Sequence, residues 1–168
     1  MKQKYNSANT SVNSKRVPAL FRRINWYPGM INFDNGGGKF DTATWHLHIL
    51  GVKNLVYDPF NRSEEHNNAV LKCVAGKPVH SSTLANVLNV IAEPKVRLGI
   101  LRRSYDALDH CGVLYVWIYE GDKSGVGRET KRGCWQENRR TKSYTEEILK
   151  VFDEVIDIDG NMITAYKA

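Results

Sequence analysis

The stretch Asn32-Phe33-Asp34-Asn35-Gly36-Gly37-Gly38-Lys39-Phe40-Asp41 decides the fold. A short apolar run over residues 30–34 ends in an acid and gives way to three consecutive glycines ahead of a helix-like segment. A second apolar run, residues 53–58, ends in Asp58, twenty-four positions after Asp34. A glycine turn after a first strand lets a ligand approach bare backbone near a helix N-terminus. An acid closing the next strand can accept hydrogen bonds from a ribose diol, and the usual spacing puts that acid ~20 residues on. Asp34, Gly36, Gly37, Gly38 and Asp58 together predict a site for a nucleoside-bearing cofactor.

The elements around this stretch alternate. Residues 40–50 read as a helix closed by Gly51, and a helix joining runs 30–34 and 53–58 makes those strands parallel. Upstream, residues 1–14 are rich in Ser and Asn and read as a tail, while residues 17–26 have helical spacing with Pro18 in the first turn. The division is therefore a tail and capping helix over 1–26 and a main domain over 27–168. Downstream, a helix is expected over 64–73, with Ser63 as its cap, and a weak strand over 79–85. Ser81-Ser82-Thr83 in that strand would be unusual inside a parallel core. Glu93-Pro94 starts another helix, which Cys111-Gly112 closes. Residues 113–119 are all apolar or aromatic, as a central strand requires. Residues 120–142 form a connection too long for a plain linker. A last helix over 145–152 precedes strands 154–158 and 162–166 flanking Asp159-Gly160, a hairpin signal with at least one antiparallel strand.

Composition narrows the function. The chain has 168 residues, 42% of them apolar, enough for one core. Cys73, Cys111 and Cys134 are odd in number and widely spaced. They argue against a disulfide framework or zinc site and for a reducing cytoplasm. No apolar run reaches the ~18 residues of a membrane span, and the basic start Met1-Lys2-Gln3-Lys4 lacks the apolar stretch of a signal peptide. His46 and His48, two apart on a helix, face different sides and do not make a metal site. The net charge of +6 permits a polyanionic partner, nucleic acid included. The densest basic cluster, residues 128–140, surrounds Trp135.

The order of glycine turn, second-strand acid, Asn-Val-Leu-Asn-Val-Ile at 86–91, helix, apolar strand and terminal hairpin resembles a small class I methyltransferase that uses S-adenosylmethionine. The run Tyr57-Asp58-Pro59-Phe60-Asn61-Arg62-Ser63 and the pair Trp135-Gln136 are similar to a bacterial and phage-encoded group of such proteins. The resemblance covers roughly residues 30–168. It implies a doubly wound, mostly parallel, Rossmann-like α/β fold with a C-terminal β-hairpin. It implies S-adenosylmethionine held by Asp34, Gly36, Gly37, Gly38, Asp58 and Asn86, with Asn86 and Asn89 near the methyl group or acceptor. Phe40 departs from the family pattern, where a further glycine is common. The third strand and its helix have no counterpart near residues 73–77, which makes this a minimal version of the fold.

Methyl transfer needs an in-line nucleophile ~3 to 3.5 Å from the methyl carbon, so positioning supplies much of the rate. Where the nucleophile carries a proton, an acceptor helps; Asn89, Glu120, Asp122 and His66 are the candidates. Arg62, Tyr119, Trp135, Gln136 and Asn138 are expected to bind the acceptor, with the indole as a stacking face. That acceptor, a small molecule ahead of nucleic acid, would lodge between residues 86–91 and the loop 120–140. An inactive scaffold on the same fold, such as a phage inhibitor of a host enzyme, stays open as an alternative. Nicotinamide redox chemistry is disfavoured because Gly36-Gly37-Gly38 lacks the GxGxxG order.

Overall fold

The computed structural model describes residues 3–10 and 15–168; of the expected tail, residues 1–2 and 11–14 lie outside the described residues. The glycine turn lies between β1 (Ile31–Asn35) and α2 (Thr42–Ile49), and β2 (Lys53–Tyr57) returns parallel to β1, with Asp34 opposite Val56. Gly51 takes a positive φ of 73°, the left-handed conformation that lets the chain leave α2. Next come α3 (Glu64–Gly76), β3 (Val79–Ala85), a single 3-10 turn (Leu88–Val90), α4 (Pro94–Ala107) and β4 (Leu108–Trp117). Two sequence signals set the helix starts. Ser63 Oγ accepts from the His66 amide at 3.2 Å, and Pro94 occupies the first turn of α4, where a missing N–H costs nothing.

The six-stranded sheet runs β2-β1-β3-β4-β8-β7, with β7 (Glu154–Asp159) and β8 (Met162–Tyr166) as the expected hairpin. β8 is antiparallel to both neighbours, and Gly160 turns the hairpin with a φ of 58°. Among the described residues no strand pairs with the outer edge of β2, where the sequence also offered no third strand. Helices cover both faces. Val70 and Val74 of α3, Leu101 of α4 and Ile148 of α5 (Thr145–Leu149) pack with Phe33, Leu84, Leu114 and Val116. On the other face Leu20 and Phe21 of α1 (Ala19–Arg23) join Ala43 and Leu47 of α2, against Tyr115 and Trp117. The alternation Leu114, Tyr115, Val116, Trp117 feeds both cores, which is why this run is apolar throughout. Among the described residues no helix is long and apolar enough to cross a membrane.

Two expectations change. The helix after Pro94 ends at Ala107, not at Cys111-Gly112; those residues lie inside β4, where Cys111 bends the strand start with a φ of 64°. The polar run Ser81-Ser82-Thr83 is a fully buried part of the sheet interior. Its hydroxyls are all bonded: Ser81 Oγ donates to Asn32 Oδ1 at 2.9 Å, Ser82 Oγ to the Phe33 carbonyl at 3.0 Å, and Thr83 Oγ1 to Asp34 Oδ1 at 3.1 Å. Asn32 extends the chain by donating to Asn54 and Thr83. A buried polar strand is stable when every group has a partner, and this one ties β1, β2 and β3 together.

Candidate functional site

Reversal of strand order between β1 and β3 opens a crevice at the carboxyl ends of the strands, the place where open α/β sheets bind ligands. A cavity of about 380 Å³ fills it. Asp34 and Asn35 at the end of β1, the glycine turn, Asp58 after β2, and Ala85 and Asn86 at the end of β3 line its polar side. Phe21, Phe60, Val87, Val90 and Ile91 line its apolar side. Gly36, Gly37, Gly38, Asp34, Asp58 and Asn86, assigned to one site on sequence grounds, thus converge on one cavity.

Two of the glycines have steric reasons to be glycine. Gly36 has a φ of 102°, and a Cβ there would lie 2.6 Å from Val87 Cγ2. A Cβ on Gly37 would fall 2.4 Å from Asp34 Oδ2 and 2.8 Å from Val56 Cγ1. Backbone at this turn lies against its neighbours as only glycine permits.

The two acids differ. Asp34 is 1% exposed, and burial raises its carboxyl from 3.8 to about 7 against the opposing hydrogen bonds from Thr83 and Asn54. Asp58 lines the cavity and also has partners within the chain. Its Oδ1 accepts from the Phe60 amide at 2.9 Å and from the Asn61 amide and Nδ2 at 3.0 Å each, and its Oδ2 accepts from the Gly38 amide at 2.9 Å. The carboxylate is a brace between the glycine turn and the turn that follows β2. Sequence spacing located this acid at the cavity but could not reveal that nearby amides occupy both oxygens.

Arg62 also braces the turn. Its Nε donates to the Gly38 carbonyl at 2.8 Å and its Nη2 lies 2.8 Å from Asp41 Oδ1. His66 Nε2 donates to the Val56 carbonyl at 2.8 Å, and the residue lines none of the cavities described. Glu120 is placed away from them as well. Its Oε1 accepts from the Thr141 amide at 2.6 Å, which holds its carboxyl below the usual range, and Oε2 pairs with Lys123 at 3.3 Å. Asp122 pairs with Arg128 on the surface. Asn138 is 1% exposed and folds the loop internally: Nδ2 donates to the Val126 carbonyl and Oδ1 accepts from the Asp122 amide. Arg62, Glu120 and Asn138 share a reason. A polar side chain in an irregular segment satisfies nearby backbone first.

Asn86 and Asn89 behave differently. Asn86 adopts a φ of 60°, a conformation Asn tolerates, and its buried Oδ1 has no hydrogen-bond partner among the described residues while the residue lines the cavity. Asn89, 1% exposed, also leaves Oδ1 unpartnered, beside a second cavity of about 260 Å³. Tyr119, Trp135 and Gln136 line that second cavity with Asn89, so four residues expected near the acceptor do come together. The two cavities share Val90 and Thr10 as walls.

The loop after β4 reaches this position because a buried ionic cluster holds it. Arg97, 2% exposed, grips Glu147 through Nε at 2.7 Å and Nη2 at 2.9 Å, and donates to the Ile91 and Ala92 carbonyls. Arg139 donates to the same carboxylate at 2.8 Å. Glu137 lies 3.8 Å from Arg97 and 3.6 Å from Arg139, and accepts from Trp135 Nε1 at 2.5 Å. One face of Trp135 stacks on Tyr5, with ring centroids 5.1 Å apart. Sequence reading missed this cluster and the placement of Gln3, Ser7, Asn9 and Thr10 on the cavity walls, since neither leaves a local pattern.

A mostly parallel sheet of this order, with helices on both faces and a crevice at its switch point, is the Rossmann-like fold of S-adenosylmethionine-dependent methyltransferases. No family model and no curated relative matches the chain. Solved structures do. A Burkholderia thailandensis 1,6-didemethyltoxoflavin-N1-methyltransferase, with bound 1,6-didemethyltoxoflavin and S-adenosylhomocysteine, matches with a TM-score of 0.63 at 14% identity. The match covers 84% of this chain and 72% of that one. The pyocyanin biosynthetic protein PhzM matches with a TM-score of 0.60 at 15% identity, over 89% of this chain and 54% of its own. The S-adenosylmethionine-dependent methyltransferase SibL matches with a TM-score of 0.50 at 15% identity, over 88% and 51%. The chain thus spans about half the length of the latter two, and what it shares with all three is the fold.

Proposed function

We propose that the chain is an S-adenosylmethionine-dependent methyltransferase acting on a small molecule, with cofactor in the larger cavity and acceptor in the smaller. One observation carries the reading. Asn86, a residue of the cavity wall at the strand-order reversal beside the glycine turn, carries a buried Oδ1 without a partner among the described residues. A buried acceptor without a partner costs about 1–3 kcal/mol, which a ligand N–H or O–H recovers on binding. The volume, about 380 Å³, lies within the ~300–1,000 Å³ range of small-molecule sites, and its mixed walls suit a molecule with a polar and an apolar end.

Bound S-adenosylmethionine would supply a methyl carbon on a positively charged sulfur. An acceptor's lone pair would form the new bond to that carbon, with the carbon–sulfur electron pair returning to sulfur, while the walls around Asp34, Asn86 and the glycine turn would hold the cofactor. Any proton on the acceptor leaves to water, because Glu120 and His66 are committed to backbone partners. The chain's share of the work is therefore orientation: the braced glycine turn, Asn86, and the loop fixed by Arg97 and Glu147 hold two cavities side by side. The 1,6-didemethyltoxoflavin-N1-methyltransferase, a structural neighbour with 1,6-didemethyltoxoflavin bound, supports the choice of acceptor class. Three widely spaced, unpaired cysteines favour the cytoplasm as its compartment.

The test is Asn86→Gly, which keeps the positive φ without strain and removes the side chain with its carboxamide. Calorimetric titration with S-adenosylhomocysteine should give a saturable one-to-one complex for the parent protein and one about 3- to 10-fold weaker for the variant, at equal melting temperature. No binding by the folded parent protein would defeat the reading.

A further inference from the structure

We propose that the smaller cavity takes a planar anion carrying an N–H or O–H donor, the donor bonded to Asn89 Oδ1 and the anionic group facing Lys131 and Arg132. That this ligand is the methyl acceptor rests on the reading above; the chemistry of the cavity is argued independently of it.

The donor requirement follows from a chain of amide orientations. The Tyr119 carbonyl can only accept, and Gln136 Nε2 donates to it at 3.1 Å. That bond turns Gln136 Oε1 toward Asn89, whose Nδ2 then donates to it at 3.4 Å. Asn89 is fixed in turn, with Oδ1 as its remaining polar atom, and that atom is buried without a partner. The Asn89 backbone carbonyl accepts from the Glu137 amide at 2.8 Å, which ties its main chain to the loop, and turning the side chain away would break its bond to Gln136. A buried acceptor without a partner, on a residue of the cavity wall, favours a ligand that brings a donor over one that lacks it.

The charge requirement follows from the rest of the wall. Lys131 and Arg132 line the cavity and no acid does. Among the described residues no carboxylate forms an ion pair with either. Tyr119 and Trp135 supply aromatic surface, and the Tyr5 ring already stacked on Trp135 demonstrates that the indole accepts a planar partner.

Three matched probes test the proposal: 3-aminobenzoate has ring, anion and N–H donor, benzoate lacks the donor, and aniline lacks the anion. Titrations followed by amide and side-chain NMR signals should rank 3-aminobenzoate at least about 5-fold tighter than either of the others. Asn89→Leu should reduce it to the level of benzoate. Arg132→Gln, at an exposed position, should weaken 3-aminobenzoate and benzoate and leave aniline unchanged, and it decides the matter if Asn89→Leu fails to fold. Equal affinities for the three probes, or a preference that persists in folded Asn89→Leu, would overturn the proposal. S-adenosylhomocysteine is titrated into the same samples. Its failure to bind refutes the methyltransferase reading alone, while its binding with undiscriminated probes refutes this inference alone.

Discussion

Asp58→Asn separates a structural brace from a ligand contact. The substitution exchanges one carboxylate oxygen for an amide nitrogen and leaves the volume unchanged. The three bonds to Oδ1, from the Phe60 amide and from the Asn61 amide and Nδ2, can persist. The fourth cannot, because Gly38 N–H would face an NH2 group where Oδ2 now accepts it at 2.9 Å. Loss of one hydrogen bond to a charged group at a site 6% exposed costs about 1.5–3 kcal/mol. For a chain of this length each kcal/mol lowers the melting temperature by about 2–4 °C, so a fall of roughly 3–12 °C is expected without any ligand present. Differential scanning calorimetry of the unliganded protein measures it. A variant that melts with the parent protein and differs only in ligand affinity would refute the brace and favour Asp58 as a ribose acid.

Other perturbations follow from the same geometry. Asp34 has its carboxyl raised to about 7, so the folded chain holds a proton that the unfolded chain releases near 3.8. The stability this proton confers is complete below about pH 4 and is lost as pH rises through about 7. Urea unfolding should therefore show the parent protein losing about 2 kcal/mol between pH 5.5 and 8, and Asp34→Asn losing much less; equal losses would remove Asp34 as the cause. Glu147→Gln leaves the buried Arg97 guanidinium with only the more distant Glu137 as counter-charge, and should cost about 3–5 kcal/mol in urea unfolding at pH 7. A cost under 1 kcal/mol would mean that the cluster does not hold the loop.

What was legible in the sequence was whatever follows from chain-local pattern. Glycines after an apolar run, the unbroken apolar run of residues 113–119, the Asp159-Gly160 turn and the Ser63 and Pro94 starts each act within a few residues. The placement of Asp34, Gly36, Gly37, Gly38, Asp58 and Asn86 around one crevice follows from sheet order, which those signals determine. Partner choice was not legible. Asp58, Arg62, Glu120, His66 and Asn138 carry the right functional groups for a site, yet each is hydrogen-bonded to a backbone group. The polar strand at Ser81-Ser82-Thr83 was misleading for the converse reason: its partners Asn32, Phe33 and Asp34 lie 49 residues away and leave no mark near it. The Arg97, Arg139, Glu137 and Glu147 cluster is invisible in sequence because its members come from three separate segments.

The central claim is that the crevice at the reversal of strand order holds the cofactor. Backbone amide shifts recorded during titration with S-adenosylhomocysteine test it most directly. The account predicts the largest changes at Gly36, Gly37, Gly38, Phe60 and Asn86, with Trp45 and Ile49 on the outer face of α2 unmoved. Changes centred away from the crevice, or none at saturating ligand, would contradict it.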